Sequence, residues 1–359
     1  MLKKDNLSIK FRKLLLQWNK EENRRQMPWK GEKNPYKIWL SEIILQQTRV
    51  EQGFTYYQKF IDSFPEINDL ANASDTKVYK MWEGLGYYSR CKNLLETARR
   101  IVNRNDGNFP KTYEEILQLK GVGGYTAAAI ASFAYNLPYA VLDGNVFRVL
   151  SRFFGVSKAI DTTEGKKYFT KLANELLDKK QPGIYNQAIM DFGAMVCKPV
   201  APLCLQCVFK KHCHANSTNS AGLFPQKSKK IKIQTRWFYY LVIKYKNQFY
   251  IRQRIENDIW KNLYEFNVLE FELESSSKDV LKKAEKLKII KKKEYQVLTI
   301  SSTQKQQLSH QKIFAQFIAI QLFHKETIPD MKLVTKKEIL EFAFPKIINN
   351  YFMQYLAAN

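Results

Sequence analysis

Two carboxylic acids and four thiols carry the chemistry open to this sequence. Glu42 lies within an apolar stretch, YKIWLSEIILQQT at 36–48, with Trp39 and Ile43 beside it at helical spacing. Apolar surroundings disfavour a charged carboxylate, raise its pKa and suit it to donating a proton. Asp143 lies in PYAVLDGNVFR at 138–148, at the mouth of a helix, where an Asp caps free N–H groups and the helix dipole should lower its pKa. One acid kept protonated and one kept ionised form the pair that breaks glycosidic bonds. The first protonates the leaving group, and the second stabilises or traps the positive charge that builds on the sugar. Cys197, Cys204, Cys207 and Cys213 follow the spacing C-x6-C-x2-C-x5-C, which places four thiols within 17 residues. Such a set can wrap one compact metal centre, either an iron–sulfur cluster or a structural zinc ion with His212 and His214 alongside. The fifth cysteine, Cys91, stands apart and is expected to be a small buried hydrophobe.

These groups need a scaffold, and the sequence divides in two. Residues 1–214 read as almost entirely helical, punctuated at Asn34-Pro35, Phe64-Pro65, Gly84-Leu85-Gly86, Phe109-Pro110 and Gly121-Val122-Gly123-Gly124. Asn34 is expected to cap a helix that starts at Pro35. Gly121 and Gly123 are expected to permit positive φ and a close backbone approach. The Ala-rich helix after them presents free N–H groups and a positive dipole end that can hold a phosphate. Residues 215–235 have linker composition. Beyond them the period changes: 236–245 and 248–254 suggest a hairpin turning at Lys246-Asn247, 294–302 and 312–320 further strands, and 278–287 and 335–356 helices. The expected architecture is therefore a helical domain (1–214, with the cysteine loop at 197–213), a linker (215–235) and a smaller α/β domain (236–359).

The chain has 359 residues, 58 Lys plus Arg against 34 Asp plus Glu, and a net charge of +24. That balance points to a polyanionic partner. No apolar run reaches the roughly 18 residues that span a bilayer. The N-terminus reads as an amphipathic helix, with Leu7, Phe11, Leu14, Leu15 and Trp18 on one face, and not as a signal peptide. A cytoplasmic, nucleoid-associated monomer without a membrane partner is expected, and clustered cysteines suit a reducing compartment.

Several motifs together resemble one family. MPWK at 27–30, PYKIWLSEIILQQT at 35–48, MWEGLGYYSR at 81–90, LKGVGGYTAAAIA at 119–131, LDGNVFRVLSR at 142–152 and YNQAIMDFGAMVC at 185–197 are similar to MutY-type adenine DNA glycosylases, of the helix-hairpin-helix superfamily with an iron–sulfur loop. The resemblance spans nearly the whole chain and implies a [4Fe–4S] cluster on the four cysteines. It implies that Glu42 protonates adenine, that Asp143 stabilises the oxocarbenium ion, and that Asn145 orients water or Asp143. Tyr125 stands where strand-cleaving relatives carry a Schiff-base Lys, so no β-lyase step is expected and Tyr125 becomes a hydroxyl partner of Asp143. A base in a duplex must be extruded before chemistry. The resemblance gives Gln46, Gln47 and Tyr87 to wedging the stack, with Gly121 and Gly123 holding DNA, and Arg25, Trp29 and Gln187 to an adenine pocket. In the hairpin Lys120 replaces the usual Pro and is expected to place a cation near DNA.

The second domain resembles the MutT-like (Nudix-like) domain of the same family. Residues 260–266 (WKNLYEF) stand for its Trp-Gly-Gly-Leu stretch, and no acidic Nudix box is recognisable, so the domain should recognise rather than hydrolyse. The family's Phe-Ser-His loop for 8-oxoguanine is matched by Leu308-Ser309-His310, with Leu in place of Phe. The implied activity is monofunctional removal of adenine mispaired with 8-oxoguanine or guanine in duplex DNA. Two rivals are an endonuclease III-like bifunctional glycosylase/AP lyase for oxidised pyrimidines, which would need Lys where Tyr125 stands, and an inactive mismatch-binding scaffold, for which Glu42 and Asp143 would be superfluous.

Overall fold

The computed structural model describes residues 2–228 and 233–358. It divides into two compact units: Met1–Asn72 with Asn93–Lys230, and Ala73–Lys92 with Ile231–Asn359. These bounds differ from the expected 1–214, 215–235 and 236–359 in two ways: the first unit runs on to Lys230, and Ala73–Lys92 groups with the strands.

The first unit is helical. Its core gathers Phe11, Leu15 and Trp18 of the helix Leu2–Glu21 against Val149 and Phe153 of Gly144–Phe154, Phe169 of Thr163–Leu176, and Phe192 of Pro182–Met195. Leu7 and Leu14 pack at its edge. Phe209, from the cysteine loop, stacks on Phe11 at 4.6 Å and meets Phe153 edge-on at 5.1 Å. Burying such a ring is worth about 1.5–3 kcal/mol, so the N-terminal helix and the loop hold each other in place. Asn34 caps the helix Pro35–Leu45 by accepting from Tyr36 N and Lys37 N, as expected. Within the expected 215–235 linker, 215–228 is packed on this unit: Arg152 donates to the Ala221 carbonyl, Ile160 N to Gln226 O, and Ser228 N to Asp161. Residues 229–232 lie outside the described residues.

The hairpin turn departs from the expectation at one glycine. Gly121 takes φ +79, and a Cβ there would lie 2.9 Å from Asn93 Cβ, so both backbone and space require glycine. Gly123, by contrast, caps the helix Gly124–Tyr135 at φ −98, with nothing within 4 Å of where a Cβ would sit. Its backbone is ordinary, and only its open face favours a close approach by something outside the chain.

Among the described residues the second unit is built on eight strands: β1 (Gln234–Tyr245), β2 (Gln248–Gln253), β3 (Tyr264–Glu265), β4 (Asn267–Phe271), β5 (Tyr295–Ile300), β6 (Gln304–Gln307), β7 (Gln311–Leu322) and β8 (Lys332–Thr335). β1 and β7 pair in parallel at the centre, with Tyr240 opposite Phe317, and the other pairings are antiparallel. Both central strands are buried on both faces and so read as near-continuous apolar runs. Tyr239, Leu241 and Ile243 face Val280 and Ala284 of the helix Ser277–Lys286. On the opposite face Phe317 stacks between Tyr240 and Tyr351, the latter from the helix Lys346–Ala358. β1 and β2 form the expected hairpin, with Lys246 at positive φ in the turn. The expected helix at 335–356 is two, Lys336–Ile339 and Lys346–Ala358, because Pro345 excludes the helical conformation from the residue before it.

Candidate active site

Glu42 sits on the helix Pro35–Leu45, 6% exposed among Ile38, Trp39 and Ile43. Burial pushes its carboxyl up to about 7, the charge of Asp143 adds to the rise, and a hydrogen bond from the Tyr125 hydroxyl opposes it. Tyr125, on the first turn of the hairpin helix, thus touches Glu42 and lies within electrostatic reach of Asp143. Asp143, about 100 residues further along the chain, lies within electrostatic reach of both Glu42 and Tyr125.

Asp143 caps the helix Gly144–Phe154. Its Oδ1 accepts from Val146 N at 2.7 Å and its Oδ2 from Asn145 Nδ2 at 2.7 Å. Its pKa is not lowered as the helix cap alone would predict. Desolvation is the largest influence and raises it above the usual carboxylate value, against the hydrogen bonds from Val146 and Asn145 and the nearby Arg148. The order of ionisation still separates the two acids. Asp143 has fixed N–H donors and a guanidinium nearby, whereas Glu42 has one hydroxyl and feels Asp143 as a charge.

Asn145 is itself held. Arg148 Nη2 donates to its Oδ1 at 2.8 Å and to the Gly193 carbonyl at 2.8 Å, while Arg148 Nε donates to the Cys197 carbonyl at 2.7 Å. Gly193 has no room for a side chain: a Cβ would meet Asn145 Cβ at 2.6 Å. Gly193→Ala should therefore push Asn145 off Asp143 and slow the step served by the acid pair by about 10²-fold, read as a single-turnover rate with thermal melting little changed. Arg148 was not legible as a site residue, since a basic residue on a half-buried helix has no distinctive spacing.

Trp29, Gln187 and Glu42 line one cavity, together with Lys30 and Ser41. Trp29 meets Tyr57 edge-on at 5.4 Å. Arg25 does not line it: its guanidinium instead bonds Asp191 Oδ1 at 2.9 Å. Gln46 closes the Glu42 helix and reaches Thr126 Oγ1 at 3.4 Å, and Gln47 takes φ +57. Lys120, expected to place a cation near DNA, is paired with Glu96.

The four cysteines line a second cavity in this unit, beside Val149, Arg152 and Phe209. Arg152 Nη1 lies 3.5 Å from Cys197 Sγ, and the Phe209 N–H points at Cys207 Sγ at 3.4 Å. Four sulfur donors around one space, with N–H groups aimed at two of them, fit an iron–sulfur cluster. Among the described residues no group of three His, Cys, Asp or Glu side chains is placed to hold a metal ion. His214 packs instead, its ring 6.1 Å from that of Phe224. Lys210 donates to the Leu205 carbonyl inside the loop.

In the second unit, Gly84-Leu85-Gly86 forms a turn with both glycines at positive φ, and Trp82 Nε1 and Arg90 both donate to the Gly86 carbonyl. Tyr87 follows at φ +48 and 42% exposure. Leu308-Ser309-His310 is the tip between β6 and β7, with Ser309 and His310 exposed and Leu308 half-buried. The Ser309 hydroxyl is hydrogen-bonded to the Tyr87 hydroxyl. In the 260–266 stretch, Trp260 and Asn262 take positive φ, where the family pattern has glycine only after the Trp. Glu265 is fully buried and bound by Arg252 and Arg254.

Residues 40–177 match the HhH-GPD superfamily base excision DNA repair protein family, and residues 238–354 match the NUDIX domain family. An adenine DNA glycosylase of Buchnera aphidicola subsp. Acyrthosiphon pisum is 36% identical over 256 residues, covering 71% of this chain and 73% of that protein. The chain belongs to the adenine DNA glycosylase family. The human adenine DNA glycosylase is 42% identical over 214 residues, 57% of this chain and 39% of that protein. Among solved structures, a thermostable thymine-DNA glycosylase is 30% identical with a TM-score of 0.55, covering 59% of this chain and 97% of its own. A trapped endonuclease III–DNA covalent intermediate shares the fold at 18% identity and a TM-score of 0.51, covering 59% and 98%. Membership in the adenine DNA glycosylase family fits a helical unit that holds buried Glu42 and half-buried Asp143, and a strand-rich unit. Among the described residues no helix is long and apolar enough to cross a membrane.

Proposed function

We propose that this chain is a monofunctional glycosylase that hydrolyses the N-glycosidic bond of adenine mispaired with 8-oxoguanine or guanine in duplex DNA. The observation that carries the reading is buried Glu42, bonded to Tyr125 with Asp143 in electrostatic reach of both, opening into a cavity lined by Trp29 and Gln187. Glu42, protonated up to about pH 7, delivers a proton to the flipped adenine and makes it a leaving group. Asp143, held by Val146 and Asn145, faces the positive charge that builds on the sugar. Gln46, Gln47 and Tyr87 wedge the stack. Two of these, Gln47 and Tyr87, already hold the left-handed backbone that concentrates at working sites. The 121–124 turn takes a phosphate, and Ser309 with His310 reads the partner base. Tyr125 serves as a hydroxyl and not as an amine nucleophile.

Cys197, Cys204, Cys207 and Cys213 would hold a [4Fe–4S] cluster. When bound, it supplies a crosslink that stiffens the loop behind Arg148 and Arg152. Purified protein should carry iron with broad visible absorbance, and Cys204→Ser should lose both. Zinc alone by metal analysis would replace the iron assignment.

The deciding assay incubates the protein with a duplex carrying adenine opposite 8-oxoguanine, with and without alkali. Strand scission only after alkali is expected, with no borohydride-trapped adduct. A trapped adduct, or intact DNA after alkali, would overturn the reading. The enzyme is expected to act as a monomer in the cytoplasm on nucleoid DNA.

A further inference from the structure

One fully buried acid has no part in the chemistry proposed above. Asp191, on the helix Pro182–Met195, is 0% exposed. Its Oδ1 accepts from Arg25 Nη1 at 2.9 Å and Gln187 Nε2 at 3.0 Å, and its Oδ2 from Asn23 Nδ2 at 2.9 Å and Lys30 Nζ at 3.1 Å. A carboxylate offers about four lone-pair sites, and all are taken. Three of the four donors come from the irregular segment between the helices Leu2–Glu21 and Pro35–Leu45. Lys30 Nζ also donates to the Arg25 carbonyl at 2.9 Å, and Arg25 N to Asn23 Oδ1 at 3.1 Å, so the segment is folded around this single anion. It supplies Trp29 and Lys30 to the wall of the Glu42 cavity.

The fourth donor bears on specificity. Gln187 precedes Asp191 by one helical turn, so the two side chains share a face. An amide beside a carboxylate has only one acceptable orientation, because its oxygen there would oppose a second lone pair. Asp191 therefore takes the NH₂ of Gln187, leaving the amide oxygen as the acceptor available to the cavity that Gln187 lines.

We propose that Asp191 is a positioning residue for base selection: it fixes Gln187 as an acceptor and holds the Trp29–Lys30 wall, so the cavity favours a purine bearing an amino group over one bearing a carbonyl at the same position. An exocyclic amine donates to that oxygen, whereas a carbonyl meets it lone pair to lone pair. This rests on the glycosylase reading and names the group that selects the base.

The test compares single-turnover release of adenine and hypoxanthine from otherwise identical duplexes. Asp191→Asn keeps the shape but frees the Gln187 amide to turn. The adenine-over-hypoxanthine ratio should then fall about tenfold or more, as expected when a buried acceptor loses its fixed direction. In a Gln187→Met background, adding Asp191→Asn should leave the ratio where Gln187→Met put it. An unchanged ratio in Asp191→Asn, or an equal further drop in the Gln187→Met background, overturns the proposal. A second measurement needs no folded variant: in the parent chain, selectively ¹⁵N-labelled, one Gln187 side-chain amide proton should resist solvent exchange, and free exchange of both overturns the anchor. If the parent chain released no adenine, the glycosylase reading would fail, and the amide measurement would still decide the anchor.

Discussion

Glu42→Gln should lower the single-turnover rate of adenine release by about 10²–10⁴-fold, the usual contribution of a positioned acid. Duplex binding should survive, since Gln keeps the shape and can still bond Tyr125. The sign of the pH dependence follows from burial. The Glu42 carboxyl is pushed up to about 7, so the active protonated form is present below that pH and is lost above it. Release by the parent chain should fall about tenfold per pH unit on the alkaline side, a limb that Glu42→Gln should lack. The same shift bears on stability. The folded chain keeps a proton that the unfolded chain loses near 4.5, so the contribution of Glu42 is full below 4.5 and is lost as pH rises through about 7. Unaltered release in Glu42→Gln would remove the acid from the mechanism.

Asp143→Asn is expected to slow release by about 10²–10³-fold, the range found when a group aimed at developing charge is neutralised. Its two roles are separable. As a cap, Asn at this position keeps most of the stability, so thermal melting should shift little while the rate collapses. Asp143→Ser gives the same contrast, with a cap retained and the charge removed. If melting and rate fell together in proportion, Asp143 would be a structural cap and no more.

How much of this was legible beforehand differed by the kind of residue. Glu42 stood out because a lone acid in an apolar helical stretch is costly unless used, and the cysteines stood out by spacing alone. The same signal was present for Asp191 in YNQAIMDFGAMV and went unread, because its partners lie far away near residues 23–30. The pKa of Asp143 was misjudged because local sequence shows the helix cap but not the desolvation that outweighs it. The resemblance gives Arg25 to the pocket, yet its guanidinium pairs with the buried carboxylate of Asp191. In the second unit the long central strands were visible as apolar runs. The short strands β3, β4, β6 and β8 were missed, and β6, QKQQ, has no apolar alternation to betray it. Nor did sequence order reveal that Ala73–Lys92 groups with the strands.

That grouping leaves the phenol of Tyr87 and the alcohol of Ser309 satisfied by each other in the free chain. A visiting base that engages either one swaps one partner for another and adds little to the total count. If this tip reads the partner base as proposed, its selectivity should come from angle and fit rather than from the number of hydrogen bonds gained.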